Sequence, residues 1–94
     1  MIEEEPNDSF LNHAWALEYF SLEKFEDAKK VFEKVLSENE NYLASYYQLG
    51  QTLEKLNENE KAVEVYKKGI ELAQKQNNNK AKNELAEALW MLED

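Results

Sequence analysis

Displaced by 34 residues, the chain falls back onto itself. Ala28 lands on Ala62, and Phe32 on Tyr66. Trp15 and Ala16 land on Leu49 and Gly50, Tyr19 on Leu53, Leu22 on Leu56, Val31 on Val65 and Leu36 on Ile70. A displacement of 36 continues the match: Leu49 meets Leu85, Gly50 meets Ala86, Leu53 meets Leu89 and Leu56 meets Leu92, with two extra residues absorbed in "QNNN". A fixed period across paired helices is the mark of a helical repeat array. An ordinary bundle would share the apolar stripes but has no reason to repeat its small residues in register.

The segments between polar breaks carry helical spacing. A first helix is capped by Asp8 or Ser9 and runs to about Leu22. A second spans about Phe25 to Ser37, with Ala28, Val31, Phe32, Val35 and Leu36 on one face. A third spans about Tyr42 to Leu56, and a fourth about Lys61 to Lys75 after "NENE". A fifth covers about residues 79–93, with Ala81, Leu85, Ala88, Leu89 and Leu92 inward. Short polar loops make neighbouring helices antiparallel. Residues 1–7 read as a flexible acidic tail and residues 8–94 as one domain: a first repeat over about 9–42, a second over about 43–76, and a lone closing helix that caps the stack.

Composition narrows the function. There is no cysteine, so disulfides, thiolate metal sites and cysteine nucleophiles drop out. Net charge is −9; residues 1–23 hold six acids and no lysine, every base is lysine, and there is no arginine. Phosphate binding needs clustered cations and base reading favours arginine, so nucleic acid and anionic membrane are poor partners. The longest apolar run, Ala88 to Leu92, falls far short of the ~20 residues that span a bilayer. The N-terminus has neither the basic region nor the apolar region of a signal peptide, and a cytoplasmic protein is the simplest expectation.

The repeat resembles the tetratricopeptide family, whose motif is W-x2-L-G-x2-Y, then A-x3-F, then P. In the second unit Tyr46 stands at the tryptophan position, followed by Leu49-Gly50, Leu53 at the tyrosine position and Ala62-x3-Tyr66. In the first unit the match is Trp15-Ala16, Tyr19 and Ala28-x3-Phe32. Asn12 replaces the first tryptophan, and Glu40 and Gln74 stand where the closing prolines would be. The resemblance covers about residues 9–92 and implies an all-α fold: antiparallel helix-turn-helix repeats stacked as a short right-handed α-solenoid of five helices. It also implies a non-catalytic scaffold that binds a protein or peptide. The packing signature is then Trp15, Ala16, Tyr19, Ala28, Phe32, Tyr46, Leu49, Gly50, Leu53, Ala62, Tyr66, Leu85, Ala86 and Leu89. Gly50 costs its helix about 1 kcal/mol against alanine, and close approach to a facing small residue, Ala28 or Ala62, is the expected compensation.

Catalytic chemistry finds little material. His13 is the only imidazole, and the serine at helical contact spacing, Ser9, reads as a cap residue. One histidine does not make a histidine-rich metal site, "NENE" lacks the length of a calcium loop, and two glycines do not make a phosphate loop. The Glu/Lys runs read as solvated helix faces. No catalytic residue, metal or cofactor is assigned.

In the family that the chain resembles, the first helices of successive repeats line a concave surface. The register puts Phe10, Ala44 and Lys80 in one column, His13, Tyr47 and Asn83 in the next, Leu17, Gln51 and Glu87 in a third, and Phe20, Glu54 and Trp90 in the last. The candidate groove is therefore Phe10, His13, Leu17, Phe20, Tyr47, Gln51, Glu54, Asn83 and Trp90. Phe10, His13, Leu17 and Phe20 share one face of the first helix, distinct from the Trp15, Tyr19 and Leu22 face assigned to pairing. These residues either grip a peptide, pack within the domain, or form the seam of a homodimer. Lys80 and Asn83 stand among Glu54, Glu84 and Glu87, which does not reproduce the carboxylate-binding pattern of some family members. The negative field instead favours a neutral or basic partner.

Overall fold

The computed structural model describes residues 8–93 and contains five α-helices: α1 (Ser9–Ser21), α2 (Phe25–Glu38), α3 (Leu43–Lys55), α4 (Asn59–Lys75) and α5 (Asn79–Glu93). No strand occurs among the described residues. The expected tail, residues 1–7, lies outside them.

Each helix packs chiefly against its neighbour in sequence, and α3 also touches α1 and α5. The first helices α1, α3 and α5 therefore form one layer and the second helices α2 and α4 another. The molecule measures 38 × 29 × 18 Å, and the thin dimension matches two helix layers at the ~8–10 Å spacing of packed helices.

Helix entries and exits follow local chemistry. The Asp8 carboxylate accepts the Leu11 N–H at 3.0 Å, capping α1. Asn78 does the same for α5, taking the Ala81 N–H at 3.0 Å. Three helices end in the same doubly bonded cap: Lys24, Glu58 and Asn78 donate to Tyr19, Leu53 and Ala73, while Glu23, Asn57 and Asn77 donate to Phe20, Glu54 and Gln74. The pattern needs a left-handed residue, and Glu23, Asn57 and Asn77 take φ of 60°, 62° and 55°. With glycine used elsewhere, asparagine fills two of these positions and glutamate the third. The start of α4 lies two residues earlier than the sequence pattern suggests, because Asn59 and Glu60 of "NENE" join the helix.

The core is the repeated set. Ala16, Ala28, Phe32, Leu49, Leu53, Ala62, Tyr66, Ala73 and Leu85 form one buried cluster. Burial of a side chain such as Leu85 contributes about 1.5–3 kcal/mol. Tyr19, Tyr46 and Leu89 pack at its edge.

The glycine in α3 faces a different neighbour from the one expected. A Cβ on Gly50 would sit 2.6 Å from Cζ and 2.7 Å from Cδ1 of Tyr66, so the partner is the aromatic of α4 rather than Ala62. Gly69 answers from the other helix, its missing Cβ 2.9 Å from Tyr46 Cβ and 3.0 Å from a Leu85 methyl. The two glycines thus mark the faces where α3 and α5 close on α4.

Two signature residues depart from the expected packing. Ala86 is exposed: among the described residues no following helix lies beside α5 on the face that is buried at Ala16 and Gly50. Trp15 is half-buried and stacked on Tyr19 with ring centroids 5.7 Å apart, outside the core cluster, whereas its counterpart Leu49 is buried. Helix α3 has α2 before it and α4 after it; α1 has no described helix on its upstream side.

Candidate protein-interaction surface

The groove residues expected from the register divide into two groups. In the first repeat His13, Leu17 and Phe20 are drawn inward. His13 is buried, its Nδ1 and Ser45 Oγ share a hydrogen bond of 2.7 Å, and its ring lies 5.4 Å from Phe32 and 5.3 Å from Tyr42. It joins the repeats instead of lining a groove, a correction whose reason is the hydroxyl on α3: an imidazole so matched can be taken out of water. Burial lowers its pKa from 6.5 and favours the neutral ring. Phe20 packs edge-on against Phe25 at 5.2 Å, and Leu17 packs on the core. Phe10 stays 68 % exposed.

In the second repeat the same columns form the wall of a cleft. Between the amino-terminal ends of α3 and α5 lies a hollow of about 310 Å³ lined by Leu43, Ala44, Tyr47, Asn78, Lys80, Ala81, Glu84 and Leu85. Toward their carboxyl-terminal ends a second, of about 370 Å³, is lined by Tyr47, Gln51, Glu54, Glu84, Glu87, Ala88, Met91 and Leu92. Tyr47 and Glu84 belong to both, so the two hollows make one groove. Each part has room for a side chain or two, in the range of small ligand sites.

A hydrogen-bonded set underlies the acidic half. The hydroxyl of fully buried Tyr66 donates to Glu54 Oε2 at 2.5 Å and accepts from Gln51 Nε2 at 2.7 Å. Burial first, and then the Glu54 carboxylate, push the Tyr66 pKa far up, so the phenol stays protonated. Tyr47 leans on the Tyr66 ring at 6.4 Å.

Asn83 is exposed and Trp90 is 69 % exposed, and neither lines the groove. The face that α5 presents to the groove runs through residues 80, 84, 87 and 91, one position away from the expected column at Asn83 and Trp90. Met91 is a contributor that the columns miss, and Glu84, expected beside the groove, takes the place expected of Asn83. Their spacing is helical, but a Lys-Glu-Glu-Met stripe looks like any solvated face. Met91 is 67 % exposed.

Elsewhere, Lys29 on α2 bridges to Glu58 at the start of α4 at 3.0 Å, and Lys61 reaches the same carboxylate at 3.3 Å. The Lys29 bond raises its own pKa and lowers that of Glu58. Among the described residues no group of three His, Cys, Asp or Glu side chains could hold a metal ion, and no helix is long and apolar enough to cross a membrane.

This stack of helix pairs has counterparts among known proteins. Residues 12–75 match the family model for the tetratricopeptide repeat. The chain belongs to the tetratricopeptide repeat family. A solution structure of a tetratricopeptide repeat domain protein from Salinibacter ruber is 31% identical, covers 96% of this chain and 91% of its own, and superposes with a TM-score of 0.88. A crystal structure of a tetratricopeptide repeat domain protein from the same organism is 30% identical over 92% of this chain and 96% of its own, with a TM-score of 0.87. The crystal structure of MamA, 16% identical over 94% of this chain and 58% of its own, shares the fold with a TM-score of 0.70. The chain has no significant match among curated proteins. Membership makes it a helical repeat scaffold of the protein-interaction type.

Proposed function

We propose that this tetratricopeptide module holds a segment of a partner protein in the groove between α3 and α5, without catalysis. The observation that carries the reading is the continuous groove on the first-helix layer, lined at one end by Tyr47, Ala44, Ala81 and Leu85. An aromatic side chain beside small apolar ones is the form in which interaction surfaces concentrate binding energy. Photo-crosslinking tests it. A benzophenone placed at Tyr47 or Glu84 should trap a partner in cells of the source organism, while one at exposed Lys67 on α4 should not. Equal trapping at all three sites would remove the groove from the account.

Self-assembly through α1 is the second reading. It rests on Phe10, the residue of that face which remains largely exposed. With His13 buried and Phe20 turned onto Phe25, the seam is much smaller than the sequence suggests. Light scattering over a concentration series decides it: a mass that stays at the monomer value ends this reading.

A further inference from the structure

The groove is not uniform along its length. Lys80 stands at the amino-terminal end of α5, beside the apolar hollow of Leu43, Ala44, Tyr47 and Ala81. Glu84, Glu87 and Glu54 follow toward the other end, with Met91 at their edge. These carboxylates differ in how they are held. Glu84 and Glu87 are exposed, while Glu54 is half-buried and tied through Oε2 to Tyr66. That phenol is itself fully buried and braced by Gln51. A carboxylate fixed before binding loses little freedom when a cation arrives, and its second oxygen, Oε1, is the one that a ligand would take.

The first repeat supplies an internal control. Phe32 stands where Tyr66 does, and Leu17 and Phe20 stand where Gln51 and Glu54 do. The same helix-pair geometry is therefore built there without any of the three polar groups, and packing alone does not require them.

We infer that the α3/α5 groove selects a basic partner segment: an apolar side chain enters the hollow at Tyr47, and a lysine or arginine farther toward the carboxyl-terminal end of α5 meets Glu54, held in place by the Tyr66 hydroxyl. The inference rests on the groove reading above and adds to it the partner's charge, the placement of its two anchors along the groove and a positioning residue. Lys80 opposes the reverse placement, in which the cation would lie beside it at the other end.

The test uses Gly/Ser peptides carrying one leucine and one lysine at varied separation, the same set with glutamate for lysine, and a leucine-only set. Binding to the full chain is followed by fluorescence anisotropy. The best lysine peptide should bind about tenfold tighter than its glutamate counterpart, with a preference that shrinks as salt is raised. Glu54→Gln should lower lysine-peptide affinity about fivefold, and Tyr66→Phe about threefold, both without change for the leucine-only peptide. A purely structural role for Tyr66 would weaken all peptides alike. Phe32 shows that the fold accommodates phenylalanine at this place in a repeat, and circular dichroism checks each variant. Should glutamate peptides bind as well as lysine peptides with both lost in Tyr47→Ala, the groove stands and the charge assignment is overturned. Failure of every lysine peptide to bind also overturns the inference, while the crosslinking experiment decides the groove by itself.

Discussion

Set the two helix pairs side by side, and the same scaffold carries two different interiors. In α1/α2, Phe32 lies among His13 and apolar neighbours, and Phe20 closes on Phe25. In α3/α4, Tyr66 occupies the equivalent place, its hydroxyl lies between Gln51 and Glu54, and its ring covers Gly50. One pair has consumed its first-helix face in packing except at Phe10; the other has kept that face polar, braced and open. The repeat dictates the backbone and the buried small and aromatic residues. The column beside them is released from that duty, and there the two copies have diverged.

The largest expected effect probes the ring over the glycine. Gly50→Leu should destabilise the protein by about 3 kcal/mol in chemical denaturation, because the new side chain overlaps a Tyr66 ring tethered by two hydrogen bonds. Leucine's better helix propensity, worth about 1 kcal/mol, does not offset it. A midpoint at or above wild type would break the account of why this copy holds glycine where the first holds Ala16.

Next comes the polar contact peculiar to the first repeat. Burial holds the His13 pKa below its unfolded value of 6.5, so folding favours the neutral ring. Its contribution is complete above that value and is lost as pH falls below it, toward the lower folded pKa. Glu58, whose pKa is lowered from 4.5, acts in a separate and more acidic window: its contribution is present above 4.5 and lost as pH falls through the folded value. Stability should therefore decline from about pH 7 to about pH 5. His13→Asn should flatten that decline, and Tyr47→Ala, at the equivalent place in the second repeat, should leave it intact. An unchanged slope in His13→Asn would show that the histidine is not the group responsible.

The smallest effect exchanges the two turns. Glu23 and Asn57 occupy the same left-handed position, which asparagine tolerates better than glutamate. Glu23→Asn should raise stability by up to about 1 kcal/mol, and Asn57→Glu should lower it by a similar amount. Thermal melts of the two variants moving in the same direction would show that the turns are not equivalent.

Particular residues show how far sequence reasoning reaches. Ala16, Ala28, Ala62, Gly50, Leu53 and Leu85 are legible because helical spacing and a fixed period constrain the same positions twice, and each is buried. Register alone puts Tyr47, Gln51 and Glu54 on the first-helix face, and they line the cleft between α3 and α5. The place of His13 was not legible: a polar side chain at a groove column is indistinguishable in sequence from one whose partner, Ser45, waits on another helix 32 positions away. Ala86 and Trp90 fail for other reasons: Ala86 has no following helix among the described residues to press against, and Trp90 lies one position from the face that α5 presents to the groove.

By itself, then, the sequence determined the all-α architecture, the number of helices, the family and the buried small residues, since periodicity and residue size are properties of the chain that survive without coordinates. Only the tertiary structure decided which copy of the repeat keeps an open face, that Tyr66 rather than Ala62 lies over Gly50, and that Glu54 is fastened from below. Those outcomes depend on side chains brought together across helices, where a single hydroxyl or one missing neighbour changes which groups can leave water.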